Sequence, residues 1–127
     1  MQNSKLIDNA APAEGVVLGK AVLRAADRLG LTARALGAVL GLSEPSISRL
    51  KRGEFRLDRE MKSFELAVLF IRLYRSLDAI VGGDETVAKA WLRNDNAALG
   101  GKPIDKIRTI PGLMDAIAYL DARRAVV

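Results

Sequence analysis

A long apolar stretch in the middle of the chain limits what this protein can fold into. Residues 60 to 81 have helical spacing, and the side chains from Phe64 to Tyr74 are apolar almost all round the predicted helix. Such a helix has to be buried. A chain of 127 residues offers little other surface to cover every face of it. We therefore expect the helix to lie partly in a subunit interface, or else to be the central core helix of a monomer.

A first amphipathic helix is predicted before this stretch. Apolar residues recur at intervals of three and four from Val17 to Leu29, with Val17 on the inward face, and Gly30 follows as a C-terminal stop. Residues 1 to 15 have no such period. They are predicted to form a mobile tail, so that structure begins near Val16.

Three more helices are predicted after the long one. Asp84 can cap a helix that ends near Arg93, Pro103 opens a short helix, and Thr109 can cap a last helix that ends near Arg124. The predicted fold class is all-α, with one domain or two small helical units that share a core. Its segments are a flexible tail (1–15), a helix-turn-helix bundle (16–59), a long connecting helix (60–82) and a small helical C-terminal domain (83–127).

The helix-turn-helix prediction rests on residues 31 to 50. Thr32 can cap a short helix, Gly41 can take the positive φ of the turn, and Ser43 can cap a second helix with Pro45 in its first turn. Gly37 is small where the two helices approach closest. The apolar residues that fall where the helices must pack are Leu36, Leu40, Leu42, Ile47 and Leu50.

The outward face of the second helix is polar and is followed by a basic segment. In a DNA-reading helix-turn-helix, the N-terminal residues of this helix contact base edges, and basic residues just past it contact phosphates. A plain helical hairpin would explain the apolar pattern, but not the polar face or the basic segment. The residues predicted to bind DNA are Ser43, Glu44, Ser46, Ser48, Arg49, Arg52 and Arg56.

Charge and composition favour a binding protein over an enzyme. The first 59 residues hold ten Lys and Arg against six Asp and Glu, whereas the rest of the chain is nearly balanced. The chain has no Cys and no His, which removes disulfides, thiolate or imidazole metal sites and the usual general base. We therefore predict no catalytic residue, metal or cofactor. No signal peptide or membrane span is recognisable, so a cytoplasmic protein is expected.

A spaced pattern occupies the last third of the chain and begins at its only tryptophan. The members of the pattern are Ala88, Trp91-Leu92, Asn96, Leu99-Gly100-Gly101, Pro103-Ile104, Ile107, Thr109, Gly112 and Leu120. In order and spacing the pattern resembles the toxin-binding domain of Xre/MbcA/ParS antitoxins. The residues just before it, Arg72-Leu73 and Leu77 to Gly82, match the helix that leads into that domain in the family. Together with the helix-turn-helix, the resemblance covers about residues 20 to 120. Trp91 itself is interpreted as a core anchor, because its neighbours at helical spacing are apolar.

The resemblance implies two partners, a toxin and operator DNA. In this family the C-terminal domain binds a RES-domain toxin, which consumes NAD or transfers ADP-ribose from it, and the antitoxin's C-terminal end obstructs the toxin's active-site cleft. Family members often end in a glycine after the last helix, whereas this chain continues with Ala125-Val126-Val127. The residues expected to form or support the toxin-binding surface are Asn96, Leu99, Gly100, Gly101, Lys102, Pro103, Arg123 and Arg124.

Other functions remain compatible with the same sequence. The chain could be an Xre-type transcriptional repressor without a toxin, whose C-terminal part only dimerises or senses a small ligand. It could also be an interaction module that never touches DNA. A homodimer is expected in the DNA-binding alternatives, because symmetric pairing places two recognition helices on one side of a two-fold operator.

Overall fold

Seven helices make up the part of the chain that the structure describes. This computed structural model describes residues 2–125, with side chains from Glu14 onward. Among these residues, the only pairing of strand type is an isolated bridge between Asn96 and Gly101, so the predicted all-α fold class is confirmed. None of the described helices is long and apolar enough to span a bilayer. The helices are α1 (Gln2–Arg28), α2 (Ala33–Leu40), α3 (Glu44–Lys51), α4 (Lys62–Val81), α5 (Glu85–Arg93), α6 (Pro103–Lys106) and α7 (Ile110–Ala125).

Local capping explains where four of these helices begin. In each case a side-chain oxygen accepts a hydrogen bond from the backbone N–H three residues later, at 3.0 to 3.2 Å. Each such cap stabilises a helix by about 1 kcal/mol. The capping residues are Thr32, Ser43, Asp84 and Thr109, all four of which were predicted from the sequence.

α4 lies at the centre of the molecule, where it packs against α1, α2, α5 and most extensively α7. Its buried face carries Leu66, Phe70, Leu73 and Leu77, and Phe70 is completely inaccessible to solvent. A single apolar core extends from this face into both halves of the chain. Its members outside α4 include Val22, Leu36, Leu40, Leu92, Leu113, Ile117 and Leu120.

The first helix begins earlier than the sequence predicted. We expected structure to start near Val16, whereas α1 starts at Gln2. Residues 2–14 contain several good helix formers, including three alanines. Gly15, which was assigned to the tail, is buried where α1 crosses the backbone before α4; a Cβ there would lie 2.4 Å from the Leu57 carbonyl oxygen. The mobility predicted for residues 1 to 15 stays a prediction, since side chains before Glu14 lie outside the described residues.

An apolar groove runs between α1 and α4 on the outside of the molecule. Val17 was expected to face inward but is 66% exposed, because Val22, Ala25 and Leu29 define the face of α1 that is buried. Val68 on α4 is 47% exposed. The long helix is therefore buried on one side only. The apolar residues that line the groove are Val17, Leu18, Ala21, Phe64, Val68 and Ile71.

Candidate functional sites

α2 and α3 form the predicted helix-turn-helix. Gly41 ends α2 with a φ of +70°, in the left-handed region that glycine adopts without strain. Gly37 lies where the helices meet, and a Cβ there would lie 2.4 Å from the Leu42 carbonyl oxygen. Ile47 and Leu50 of α3 are buried beneath the pair. The apolar side of α3 is thus fixed against the core, which leaves its polar side exposed.

The polar side of α3 is organised by two serines. The Ser43 hydroxyl caps the helix and donates a hydrogen bond to Ser46 Oγ at 2.9 Å. Ser46 Oγ also accepts a hydrogen bond from the Arg49 guanidinium at 3.1 Å. Glu44 and Arg49 are exposed, whereas Ser46 and Ser48 are half-buried. Of the predicted base-contacting residues, Glu44 and Arg49 are therefore the most exposed, whereas Ser43 and Ser46 hold the start of the helix in place.

The basic segment after α3 stays close to that helix. The Arg49 guanidinium lies 5.9 Å from the centroid of the Phe55 ring, which ties the segment back to α3. Arg52 forms an ion pair with Glu54 at 3.2 Å. This pair is exposed, and such pairs contribute little to stability. Arg56 is also exposed. The structure thus places Arg49, Arg52 and Arg56 on one short stretch of surface chain.

The Asn96 to Gly101 loop is held by its own hydrogen bonds. The Asn96 carbonyl oxygen accepts from the N–H groups of Leu99, Gly100 and Gly101, and the Asn96 N–H donates to the Gly101 carbonyl at 3.0 Å. Asn96 Oδ1 accepts a further bond from the Leu99 N–H at 3.2 Å. The backbone and side chain of Asn96 therefore hold the loop in its conformation.

Burial divides the predicted residues of this loop into two groups. Leu99 and Pro103 are buried, so their side chains support the loop from below and cannot reach a partner without rearrangement. Gly100 and Lys102 are exposed, and Asn96 and Gly101 are half-buried. The accessible part of the loop is thus mostly backbone with one lysine.

The end of α7 is attached to α4 by a polar network. The Ser76 hydroxyl donates to Asp121 Oδ1 at 2.8 Å, and Arg72 donates to Asp121 Oδ2. Arg124 donates to Ser76 Oγ at 3.2 Å. The hydrogen bond from Ser76 and then that from Arg72 hold the pKa of the Asp121 carboxyl below its ordinary value. The last turn of α7 therefore has a defined position on α4.

Arg123 and Arg124 leave this last turn with different neighbours. Arg124 contacts Ser76, whereas the Arg123 guanidinium lies 5.0 Å from the centroid of the Tyr119 ring. Both arginines are exposed. Within the described residues, no hydrogen bond or ion pair joins them to the Asn96 to Pro103 loop, so the two groups of predicted toxin-binding residues are separate features.

Arg93 was not predicted, yet it joins the two halves of the chain. Its guanidinium donates to the carbonyl oxygens of Leu29 at 3.1 Å and Gly30 at 2.8 Å, and to that of Lys89 in its own helix at 3.0 Å. It thereby binds carbonyls at the C-terminal end of α1, where the helix dipole favours a cation. This contact joins the end of α5 to the C-terminal end of α1.

Comparison with known protein families explains the arrangement. The model of the antitoxin Xre-like helix-turn-helix domain matches residues 5–72, which is more than half of the chain. The model of the antitoxin Xre/MbcA/ParS C-terminal toxin-binding domain matches residues 76–125. The chain belongs to the Xre/MbcA/ParS antitoxin family. The resemblance noted in the sequence is thereby confirmed.

A solved structure agrees with the fold of this Xre/MbcA/ParS antitoxin. The crystal structure of the M. tuberculosis MbcT–MbcA toxin–antitoxin complex contains a chain that is 24% identical to it, with a TM-score of 0.65. The match covers 87% of the antitoxin described above and 97% of that chain. At this identity the likeness concerns the fold alone. A search of curated proteins gives no match.

The two family domains of the antitoxin meet inside α4. The first match ends at residue 72 and the second begins at residue 76, whereas α4 continues without a break from Lys62 to Val81. The helix therefore belongs to both domains. Its buried face, together with Arg93, makes the antitoxin one packed unit.

Proposed function

We propose that this antitoxin neutralises a RES-domain toxin by covering the active site at which that toxin consumes NAD or transfers ADP-ribose. The observation that carries the proposal is the match of residues 76–125 to a toxin-binding domain. The residues proposed to contact the toxin are Gly100, Lys102, Arg123 and Arg124, with Asn96, Leu99, Gly101 and Pro103 shaping the loop. Two exposed arginines at the chain end suit a cleft that binds the phosphates of a dinucleotide.

Co-expression tests this proposal. Cells that make the cognate RES-domain toxin proposed here should stop growing and lose NAD, and the full-length antitoxin should restore both growth and NAD. An Arg49→Ala variant serves as a control, because it changes the proposed DNA surface only. If the antitoxin is well expressed and the cells still lose NAD, the toxin proposal is wrong and a repressor without a toxin partner becomes the better reading.

We also propose that the antitoxin represses transcription of its own operon through α3, and that it acts in the cytoplasm. The support comes from the exposed polar side of α3 beside three arginines, and from the match to an Xre-like helix-turn-helix. Glu44, Ser48 and Arg49 are proposed to contact bases, and Arg52 and Arg56 phosphates. Ser43 and Ser46 keep the start of the helix in shape.

Substitution of two arginines should separate base recognition from phosphate contact. Arg49→Ala is expected to weaken operator binding by about 1 to 3 kcal/mol, because a bidentate arginine–guanine contact is lost. Arg56→Ala should weaken binding to all sequences alike and lower the salt slope by about one. Fluorescence anisotropy on operator and scrambled DNA at several salt concentrations measures both effects. Equal losses for the two variants on both DNAs would contradict the assignment.

We further propose that the antitoxin is a homodimer whose subunits meet at the α1–α4 groove. Val17 and Val68 leave apolar surface there that the chain itself does not cover. Two charged residues, Glu14 and Arg75, also line the groove. The Glu14 carboxylate already forms an ion pair with Arg59 of the same chain, so the support for the interface comes from the apolar surface. A dimer would also present two copies of α3 to a two-fold operator.

An aspartate in the groove should dissociate this dimer. Val68→Asp is expected to give a folded monomer with lower operator affinity, because the new carboxylate stays hydrated in the monomer and would lose water in the interface. Phe70→Asp is the matched core variant and should unfold the chain, since Phe70 is fully buried. Sedimentation and circular dichroism measure both results. A wild-type chain that sediments as a monomer at micromolar concentration would refute the interface.

A further inference from the structure

Three side chains from two helices form a stack on the outside of the C-terminal domain. The rings of Trp91 on α5 and Tyr119 on α7 lie with centroids 6.3 Å apart and an interplanar angle of 24°. The Arg123 guanidinium lies 5.0 Å from the centroid of the Tyr119 ring. Trp91 is the only tryptophan of the chain. We refer to Trp91, Tyr119 and Arg123 as the aromatic stack.

Core packing alone does not account for the aromatic stack. Trp91 was interpreted as a core anchor, and both rings do pack against the core, but they are only half-buried, whereas the adjacent residues Leu92 and Leu120 are buried. Val87, one turn before Trp91, is 48% exposed. The core thus has its own anchors at these positions, and the stack adds an apolar and cationic patch at the surface.

The position of the aromatic stack indicates which kind of partner binds it. It lies within residues 76–125, the segment matched to a toxin-binding domain, and it ends one turn before the chain end that the proposed function places in the toxin. The groove proposed for the dimer is lined by α1 and α4 and shares no residue with it. Duplex DNA offers no unstacked base for the rings to contact. The geometry therefore favours a protein partner that contacts both the chain end and the aromatic stack.

We propose that the aromatic stack is the anchor by which this antitoxin holds its toxin, against an apolar or aromatic surface that carries a carboxylate opposite Arg123. The proposal rests on the proposed function and assigns the contact to Trp91 and Tyr119, beyond the loop and chain end already described. Trp, Tyr and Arg are the residues most often found to dominate binding energy at interfaces. Because the three side chains already hold one another, little side-chain freedom is lost when the partner binds.

Binding measurements on conservative variants test the anchor. Trp91→Leu and Tyr119→Leu keep apolar volume above the core but remove the stacked rings, and Arg123→Gln removes only the charge. Calorimetry with the full-length antitoxin and its proposed cognate RES-domain toxin should show dissociation constants raised about 30-fold or more for the ring variants. Arg123→Gln should raise the dissociation constant several-fold. Met114→Ala, on the same helix and 42% exposed, is the control and should bind as the wild type does.

A spectroscopic readout covers the case in which a ring variant fails to fold. With 5-fluorotryptophan incorporated, the wild-type antitoxin has a single fluorine resonance, from Trp91. In the complex this resonance should shift and lose its response to exchange of H₂O for D₂O. An unchanged resonance in a formed complex, or wild-type affinity of folded Tyr119→Leu and Arg123→Gln variants, overturns the anchor while leaving the proposed function in place. Failure of the wild type to bind the toxin overturns both.

Discussion

Replacement of Gly112 by alanine is expected to destabilise the fold by about 3 kcal/mol, the upper part of the range for overpacked sites. A Cβ on Gly112 would lie 1.8 Å from the Lys106 carbonyl oxygen and 2.7 Å from its carbon. Backbone cannot rotate away as a side-chain end can, so the first turn of α7 would have to move off α6. The free energy of unfolding, measured by urea denaturation, gives the size of the effect.

Gly101→Ala is the matched control for this substitution. Gly101 does not have a positive φ, and the nearest atom to an added Cβ is Lys106 Cδ at 3.8 Å, an ordinary contact. Its stability should change by no more than about 0.5 kcal/mol. If Gly112→Ala unfolds at the same urea concentration as Gly101→Ala, then α6 and α7 are not packed as described.

Deletion of Arg123 to Val127 is expected to abolish protection against the toxin with little effect on folding. Of the described residues, the deletion removes the part-buried hydrogen bond from Arg124 to Ser76 and the contact of Arg123 with Tyr119. Leu120 and the hydrogen bonds of Asp121 to Ser76 and Arg72 remain. The loss of stability should stay below about 1 kcal/mol, as for other frayed helix ends.

Three measurements on the truncated chain separate folding from protection. Its melting temperature and operator affinity should be close to those of the full chain, whereas cells that express the RES-domain toxin should again lose NAD and stop growing. Full protection at an unchanged melting temperature would mean that the chain end does not obstruct the active site. Inhibition would then have to come from the Gly100 and Lys102 surface or from occlusion by the whole complex.

The parts of the fold that local chemistry determines could be predicted from the sequence. Thr32, Ser43, Asp84 and Thr109 each bond a backbone N–H only three residues away, and such short-range caps have a recognisable pattern. The close approach of the two helices at Gly37 could be predicted for the same reason, because the turn that brings Gly37 against Leu42 lies only a few residues away.

Contacts between distant segments could not be predicted in this way. Arg93 lies more than sixty residues from the two carbonyls of Leu29 and Gly30 that it bonds, and the sequence indicated only that a helix ends near it. The outward position of Val17 depends on how α1 crosses α4. Helical periodicity in the sequence could not show whether the apolar face of α1 is fully or only partly buried.

The candidate sites were predicted unevenly for a related reason. A family pattern contains residues that touch a partner and residues that hold them in place, and burial is needed to tell the two apart. Leu99 and Pro103 are buried, whereas Gly100 and Lys102 are exposed. The apolar neighbours of Trp91 in sequence favoured a core position, and its ring does pack against the core. Its partial exposure and its stacking on Tyr119 could not be predicted from those neighbours.

Titration of toxin activity with the purified antitoxin tests the central proposal most directly. NAD consumption by the proposed cognate RES-domain toxin would be followed as the full-length antitoxin is added, with both proteins at concentrations well above the dissociation constant. If the antitoxin covers the active site, the rate should fall linearly and reach zero at a fixed ratio of the two chains. A toxin that continues to consume NAD at its full rate within the formed complex would contradict the proposal.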